Sequence, residues 1–430
     1  MAYGGGTFTT QNKILPGAYI NFVSAARATA ELSARGTAAM LLPLPFGPQG
    51  VVTSLKADYF AEEAPRLFGC SADSNALLPV RELFCGAETL LFYRPEGGEK
   101  AHSTHASAKY AGTGGNNIQI VIRENAEKFD VVTVVDGVEM DTQTVSAAEE
   151  LVENDFVTFT EEALSATAGE PLTGGTDKKP EKSDYEAFLR AVEPYTFQTL
   201  GCASEDSEIN KLFVSFTRRM REEAGVKFQT VLYRTEADYE GVISVENEAE
   251  EDAPALVYWM TGAAAGCAVN ASCSNKIYDG EYTVLADYTQ AELEEGLKAG
   301  KLMFHRAGGQ VRVLSDVNTL TTFTNERGED FALNQTVRVL DQIANDVAVL
   351  FCTRYLGQIP NDEAGRISLW NDIVKHHQEL ERQRAIENFS PEDVQVSAGQ
   401  TKRSVVVSGR VTPVCAMEQL YMTVTVAGAA

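Results

Sequence analysis

The chain has 430 residues, of which 44% are hydrophobic and 23% are charged, and its formal net charge at pH 7 is -25. A single hydrophobic core stops growing at roughly 250 to 300 residues, so this length predicts two to four folded domains. The negative charge argues against binding to nucleic acid over a broad surface, because such binding needs a basic patch that displaces counterions from the phosphates.

The cysteines are typical of a cytoplasmic protein, and we expect neither a secretory signal nor a membrane-spanning helix. The N-terminus has no basic stretch followed by a long apolar one, so we expect no secretory signal peptide. The longest uncharged run, 253–275, contains proline, glycine and polar residues. Its continuous apolar part is shorter than the ~20 residues that a bilayer demands, and we interpret it as a close-packed buried helix. The seven cysteines include no Cys-x-x-Cys pair, which is typical of reduced thiols and disfavours a disulfide framework or a zinc site.

The first hundred residues contain few long periodic segments. Residues 1–13 are Gly/Thr-rich and should be flexible. Residues 14–22 are interpreted as a strand, because alternate positions are apolar. Between 27 and 96 short apolar runs alternate with turns, and the prolines and glycines of 40–50 exclude a helix there.

A β-rich module is predicted between the Gly-Glu cluster at 96–99 and the Gly/Thr cluster at 172–176. Apolar and polar residues alternate from 117 to 123, and Asp136-Gly137 is typical of a hairpin turn. A short helix is expected at 147–154, where the pattern AAEELVEN occurs.

From Glu181 onward helices and strands alternate, which favours a layered sheet with helices on its faces. The predicted helices are 185–192, 209–220, 253–269 and 290–300. The predicted strands are 196–200, 228–233, 241–245, 301–306 and 310–314.

Residues 331–389 are predicted to form two amphipathic helices joined by a short turn. In the first helix, apolar residues recur at three- and four-residue steps from Leu333 to Phe351 and should form a buried stripe. The polar residues between them, among them Arg338, Asp341 and Asp346, should fall largely on the opposite side. Strands are expected at 404–411 and 419–426.

The glycine-rich stretch Gly112–Asn117 is the strongest candidate for a ligand site. A phosphate cradle needs such glycines at the N-terminus of a helix, where free amide groups face the anion. Here the following residues alternate like a strand, so we expect a turn that leads into the β module.

The histidines do not indicate a metal site. His102 and His105 lack a clear third ligand and should lie in an exposed loop. His376 and His377 are adjacent, so a helix points them apart; His377 should join the core and His376 should be solvated. Because GxSxG and any recognisable catalytic frame are absent, we expect no catalytic residue, no cofactor and no metal. The GxxxG pattern at Gly262–Gly266 should mark close helix packing.

The two ends of the chain both have strand-like patterns. In the last one Leu420, Met422, Val424 and Val426 alternate with Tyr421, Thr423 and Thr425. Such ends can complete the chain's own sheet or add to the edge of a neighbouring molecule's sheet, and periodicity alone leaves both open.

Several longer segments resemble the tail sheath protein of contractile phage tails, in the version found in phages and prophage-derived particles of Gram-positive bacteria. They include LPGAYINF, AKYAGTGGNNIQIVI, LTGGTD, TVRVLDQIANDVAVLF, YLGQIPNDEAGRISLW, ENFSPEDVQV and VTPVCAMEQLYMTVTV. The resemblance covers nearly the whole chain and is densest at about 316–426.

The resemblance implies a structural protein without enzyme activity. It would form a homo-oligomer of stacked six-fold rings around a tail tube protein, contact baseplate and tail terminator proteins, and contract to drive the tube through a cell envelope. It would belong to a virion or tailocin tail that assembles in the bacterial host cytoplasm, with no bound nucleic acid and no membrane insertion.

The implied fold is α+β and multidomain, with αβ layered domains, an inserted mainly-β module and a C-terminal αβ domain with extended N- and C-terminal arms. The implied segments are an N-terminal arm at 1–22, a middle αβ domain at 23–98 with 172–314, an outer β module at 99–171, an inner C-terminal domain at 315–417 and a C-terminal arm at 418–430. Both arms would add strands to neighbouring C-terminal domains, whose acceptor sheet contains 404–411. The arm residues expected between subunits are Ile14, Pro16, Tyr19, Ile20, Phe22, Leu420, Met422, Val424 and Val426.

Two other functions remain open at this point. One is a soluble αβ enzyme that binds a phosphorylated ligand at Gly112–Asn117. The other is a different polymerising component of the same particle, such as a tube or baseplate protein. Tube subunits are generally smaller β proteins, so the length and the αβ pattern disfavour the latter.

Overall fold

The computed structural model describes residues 32–426, and the first described segment supplies half of a central sheet. Its elements are β1 (Thr37–Leu41), β2 (Val52–Lys56), α1 (Phe60–Phe68), α2 (Leu78–Phe84) and β3 (Thr89–Tyr93). β1 and β3 pair in parallel, and β2 adds antiparallel to β3 at the edge. The proline-rich connection between β1 and β2 is irregular, as predicted.

The next segment is a β module with its own core. Its strands are β4 (Ala106–Ala108), β5 (Ile118–Asn125), β6 (Lys128–Val135), β7 (Val138–Val145), β8 (Val157–Phe159) and β9 (Thr167–Pro171). They form a sheet in the order β7-β6-β5-β9 and a separate β4-β8 pair. Asp136 and Gly137 have φ of 49° and 80°, the left-handed conformation that the predicted hairpin turn requires.

The helix expected at 147–154 is reduced to a single 3-10 turn, Ala148–Glu150. The Gln143 side chain on β7 bonds both backbone groups of Val152, with its Nε2 donating to the carbonyl at 2.8 Å and its Oε1 accepting from the amide at 2.9 Å. Because these bonds occupy the N–H and C=O groups of Val152, the helix does not continue through this residue, and the chain is extended after one turn.

The third segment completes the central sheet. Its elements are α3 (Lys182–Val192), β10 (Thr199–Cys202), α4 (Ser207–Arg219), β11 (Gln229–Tyr233), β12 (Val242–Val245), α5 (Leu256–Gly266), α6 (Gln290–Lys298), β13 (Phe304–Ala307) and β14 (Gln310–Val313). The sheet order is β12-β11-β10-β1-β3-β2, and all pairs except β2-β3 are parallel. α1, α2 and α5 pack on one face, while α3 and α4 pack on the other. The predicted layered arrangement is confirmed.

α5 is the close-packed buried helix that the uncharged run predicts. A Cβ atom on Gly262 would overlap the carbonyl oxygen of Leu83 in α2, and one on Gly266 would overlap that of Gly86. The two helices therefore meet backbone to backbone. Among the described residues no helix has the length and apolar character needed to span a membrane.

Gly262→Ala tests this contact. We expect a loss of about 1–3 kcal/mol in the free energy of unfolding, because the new methyl group displaces a packed backbone. Gly328→Ala is the matched control, since no atom lies within 4 Å of its Cβ position and its φ of -78° suits any residue. Chemical denaturation measures both, and equal unfolding midpoints for the two variants would contradict the packing.

The C-terminal segment contains two long helices and a hairpin. Its elements are α7 (Asn334–Leu350), α8 (Glu363–Arg382), β15 (Val394–Ala398) and β16 (Val405–Gly409). α7 ends in a wider π-helical turn, Phe351–Tyr355. With these elements the described chain mixes helices and strands in several sheets, which confirms the α+β, multidomain class.

The polar side of α7 is buried, which corrects the simple amphipathic interpretation. Arg338 lies 3.1 Å from Asp316, and both side chains are 1% exposed. Asp341 accepts two hydrogen bonds from the buried Arg221 guanidinium, at 2.5 and 2.9 Å. The charged side chains of α7 are therefore buried at its junction with the central sheet domain, where residues distant in sequence supply the opposite charges.

Candidate functional site

The β15–β16 hairpin of the C-terminal segment is a two-stranded sheet. Among residues 32–426, no other strand pairs with either of its outer edges. Gly399 N–H donates to Ser404 O at 2.8 Å, and Arg410 N–H donates to Asp393 O at 3.1 Å. Antiparallel pairing alternates between bonded and non-bonded pairs, so these two bonds determine which backbone groups face outward. In β16 the backbone N–H and C=O groups of Val405, Val407 and Gly409 point away from β15.

An apolar surface lies beside this open edge. A groove of about 390 Å³ runs between the α7–α8 connection and the hairpin, and its lining includes Phe351, Leu369 and Val405. Leu356 and Ile359, which line the same groove, are 60% and 41% exposed. An unpaired strand edge next to exposed apolar side chains is suited to receiving another strand.

The chain after β16 is attached to the protein surface as far as Glu418. Ala416 N–H donates to the Gln335 side chain at 2.9 Å. The Glu418 carboxylate accepts hydrogen bonds from the hydroxyl groups of Ser315, at 2.8 Å, and Ser274. Glu418 is therefore the root from which the last described residues extend.

Beyond this root the predicted arm side chains are exposed. The exposed fractions are 86% for Leu420, 74% for Met422, 70% for Val424 and 88% for Val426. Residues 419–426 form no strand, and the structure brings none of these side chains against the hairpin. The N-terminal arm residues lie outside the described residues; they are Ile14, Pro16, Tyr19, Ile20 and Phe22.

The glycine-rich loop is the predicted turn into the β module. A 3-10 helix, Thr113–Asn117, leads directly into β5. Thr113 N–H donates to the Asp177 carboxylate at 2.8 Å, and Gly114 N–H donates to Pro45 O at 2.9 Å. These amide groups are occupied, and a fixed carboxylate stands where a phosphate would need to bind. The geometry disfavours the phosphorylated-ligand alternative.

Two histidine predictions were wrong. His105 is buried and its Nδ1 lies 2.6 Å from Glu170 Oε2. His376 is buried and its Nε2 lies 2.9 Å from Asp346 Oδ2. Each has a carboxylate partner on another element, which one-dimensional periodicity does not reveal. His102 is exposed and His377 is buried, as expected. Within residues 32–426 no three potential ligands cluster to hold a metal ion.

His377 makes stability depend on pH. Burial, aided by the charge of His376, lowers its pKa to about 4, although the hydrogen bond to the Ile373 carbonyl opposes this. In the unfolded chain its pKa is about 6.5, so the unfolded state binds more protons between pH 6.5 and 4. Stability should therefore fall as the pH falls through this window, by roughly 3 kcal/mol in total.

His377→Asn should remove this contribution, because the amide retains a donor without a titrating ring. Urea unfolding of both proteins at several pH values between 4 and 7 measures the difference. His102→Asn is the control and should keep the wild-type slope. Parallel pH profiles for wild type and His377→Asn would contradict the prediction.

Known proteins resemble this chain along its length. The phage tail sheath protein beta-sandwich domain matches residues 96–177, the phage tail sheath protein central domain matches 178–319, and the phage tail sheath C-terminal domain matches 326–427.

The chain is 34% identical to the Phage-like element PBSX protein XkdK of Bacillus subtilis (strain 168), over 98% of this chain and 99% of that protein. The solved sheath tail protein from Desulfitobacterium hafniense is 36% identical and superposes with a TM-score of 0.81, over 92% of this chain and 96% of that one. The anti-feeding prophage helical sheath in its contracted state shares the fold at 12% identity, with a TM-score of 0.60 over 96% and 99% of the two chains. The chain therefore belongs to the phage tail sheath protein family, as the sequence resemblance predicts.

Proposed function

We propose that many copies of this sheath protein form six-fold rings stacked around a tail tube, and that the lattice shortens to drive the tube through a cell envelope. The family is structural, and its members are components of virions or related particles. The observation that carries the proposal is the open-edged β15–β16 hairpin together with an exposed apolar arm in the same chain.

The proposed arms are suited to add strands to the β15–β16 hairpin. A two-stranded sheet is only marginally stable alone, and within residues 32–426 no strand pairs with either edge of this one. The arms that we propose are 1–22 and 418–430, so each edge would receive one strand from a neighbour. Strand addition supplies main-chain hydrogen bonds, while the apolar side chains of the arm cover the apolar groove.

The domain boundaries that we propose are based on the strand order of the central sheet. The central sheet takes strands from both sides of the β module, which supports one middle domain built from 23–98 and 172–314 and an insertion at 99–171. The segment 315–417 would be the inner domain, facing the tube, and the β module would lie outside.

The extended lattice would store free energy. Contacts with the baseplate, the tail terminator and the tube would hold subunits in a higher-energy arrangement, and release would let them rotate into larger interfaces. The arms would tether neighbours during this rotation. No nucleotide, cofactor or catalytic step is needed, and assembly would take place in the host cytoplasm.

Negative-stain electron microscopy of the purified chain tests the proposal. We expect rings or hollow tubes with six-fold symmetry. A protein that stays monomeric at high concentration over a wide range of salt would overturn it.

A further inference from the structure

A small pocket lies where the polar side of α7 meets the edge of the central sheet at which β1, β10 and β11 begin. α7 lines it with a stripe of residues from Arg338 to Val349, and the sheet domain lines it with the segments just before these strands, which include Arg35, Gln198 and Lys227. We name it the junction pocket. Its volume is about 90 Å³, which is room for about three water molecules or one small ion.

The two carboxylates that line the junction pocket are already held by other partners. Asp341 accepts two hydrogen bonds from the Arg221 guanidinium, at 2.5 and 2.9 Å. Asp346 accepts a hydrogen bond from the Gln342 side chain at 2.8 Å, and its carboxylate lies 2.9 Å from His376 Nε2. Their negative charges are therefore shared with groups other than Arg35 and Lys227.

Arg35 brings a positive charge that nothing described neutralises directly. It is half-buried, and within residues 32–426 no carboxylate pairs with it. Its guanidinium donates instead to the carbonyl oxygens of Cys267, at 2.8 Å, and Ala264, at 3.4 Å. Burial, with the charge of Arg338, lowers the pKa of Arg35 to about 10, so the group is still charged at pH 7. Carbonyl oxygens have no net charge, so this cation lacks a counterion.

Arg338 brings an unused hydrogen-bond donor to the same pocket. Its side chain is buried, with Nη1 donating to the Ala271 carbonyl at 2.8 Å and Nη2 donating to the Asp316 carboxylate at 3.1 Å. Ala271 and Asp316 do not line the pocket, which leaves the Nε side of the guanidinium to face it. This Nε is buried, and no described residue accepts a hydrogen bond from it. A buried N–H without an acceptor is costly, so it indicates that a further acceptor binds here.

The charges around the junction pocket do not balance. Four cationic side chains meet here, and three carboxylates oppose them. The cations are Arg35, Arg221, Lys227 and Arg338, and the carboxylates are Asp316, Asp341 and Asp346. The nearby Glu240 is paired with Arg327 at 3.1 Å. One positive charge is left over even when His376 is neutral, and one monovalent anion would balance it.

We propose that the junction pocket binds one small inorganic anion, such as chloride, between the guanidinium groups of Arg35 and Arg338. The anion accepts hydrogen bonds from both side chains and neutralises the excess charge. A water molecule has a suitable size but supplies no negative charge. Because both domains line the pocket, the bound anion stabilises their contact. This inference goes beyond the proposed function and does not depend on polymerisation.

Thermal unfolding of the full-length chain at constant ionic strength tests the site. Sodium gluconate is replaced stepwise by sodium chloride, because gluconate is too large for a pocket of this volume. A ligand that binds only the folded state stabilises it in proportion to ln(1 + [L]/Kd), so we expect chloride to raise the melting temperature by a few degrees. The same melting temperature in both salts would overturn the proposal.

Four variants show whether the response comes from this pocket. Arg35→Gln should abolish it, whereas Arg35→Lys keeps a charge at this position and should retain part of it. Arg123→Gln removes an exposed cation of the β module and should respond like the wild type. Glu31→Gln tests a rival source of negative charge in the chain itself. Equal responses of Arg35→Gln and the wild type, or a response that appears only in Glu31→Gln, would overturn the site.

Crystals of the full-length chain grown in sodium bromide locate the anion directly. Bromide scatters X-rays anomalously and is similar to chloride in size. We expect an anomalous peak in the junction pocket, in contact with nitrogen atoms of Arg35 and Arg338. A pocket that contains ordered water and no anomalous peak would overturn the proposal, even if the Arg35 variants fail to fold.

Discussion

Aspartate at Met422 or Val424 is expected to prevent polymerisation and leave the subunit folded. Both side chains are more than two-thirds exposed in the isolated chain, at 74% and 70%, so the substitutions should not affect the stability of the monomer. In the assembly each would bury in a neighbour, where an apolar side chain of this size contributes roughly 1.5–3 kcal/mol. Losing it raises the protein concentration needed for assembly at least about tenfold.

The other face of the same strand supplies the control. Thr423→Asp and Thr425→Asp change the charge equally, but in the proposed strand their side chains would point away from the groove. Light scattering and negative-stain microscopy measure assembly, and circular dichroism checks folding. Equal inhibition by substitutions on the two faces would contradict a one-sided strand contact.

We also expect a substitution at the outer edge of β16, which is proposed to receive the arm, to prevent assembly. Val407→Pro removes a backbone N–H that points outward from β16, so the hairpin keeps its internal hydrogen bonds. This variant should fold and fail to assemble. Polymers indistinguishable from wild type would show that the edge of β16 receives no strand.

Asp316→Asn is expected to destabilise the protein by about 3–5 kcal/mol, because it leaves the Arg338 guanidinium buried and charged without the opposite charge that it pairs with. Burial alone would lower the pKa of Arg338, but the Asp316 carboxylate outweighs this and raises it, so the guanidinium remains charged. Asp316 also accepts hydrogen bonds from Cys273 N–H and the Asn334 side chain, both at 2.9 Å. Losing one carboxylate therefore weakens three contacts at the junction.

Two further variants make this test specific. Adding Arg338→Met to Asp316→Asn removes the orphaned charge and should recover part of the loss. Glu139→Gln breaks the exposed Arg123–Glu139 pair on the β module and should change stability little. Urea denaturation compares all three variants. A loss for Asp316→Asn no larger than that for Glu139→Gln would contradict the role assigned to the buried pair.

The sequence predicts the central sheet domain well. The stripe from Ile209 to Met220 and the runs before Tyr233 and Val245 correspond to α4, β11 and β12 within a few residues. These elements have strong periodicity, and their apolar faces are covered by the sheet domain itself. β15 was not predicted, because its five residues, VQVSA, are short and half polar.

Contacts between distant residues were not predictable. Arg221 and Asp341 are 120 positions apart, so the pattern of α7 does not reveal that its polar side meets a buried guanidinium. The same holds for the carboxylate partners of His105 and His376, 65 and 30 positions away. Alternation of side chains predicted a strand-like C-terminal segment, but the open edge of β16 became recognisable only from the hydrogen bonds of the hairpin.

The central claim is that the arm of one subunit completes the sheet of another. A cryo-EM map of the polymer formed by the purified chain tests it most directly. We predict that residues 419–426 form a strand on the β15–β16 hairpin of an adjacent copy, with Leu420, Met422, Val424 and Val426 facing its apolar groove. A map in which this segment pairs with the hairpin of its own chain, or with no sheet at all, would contradict the account.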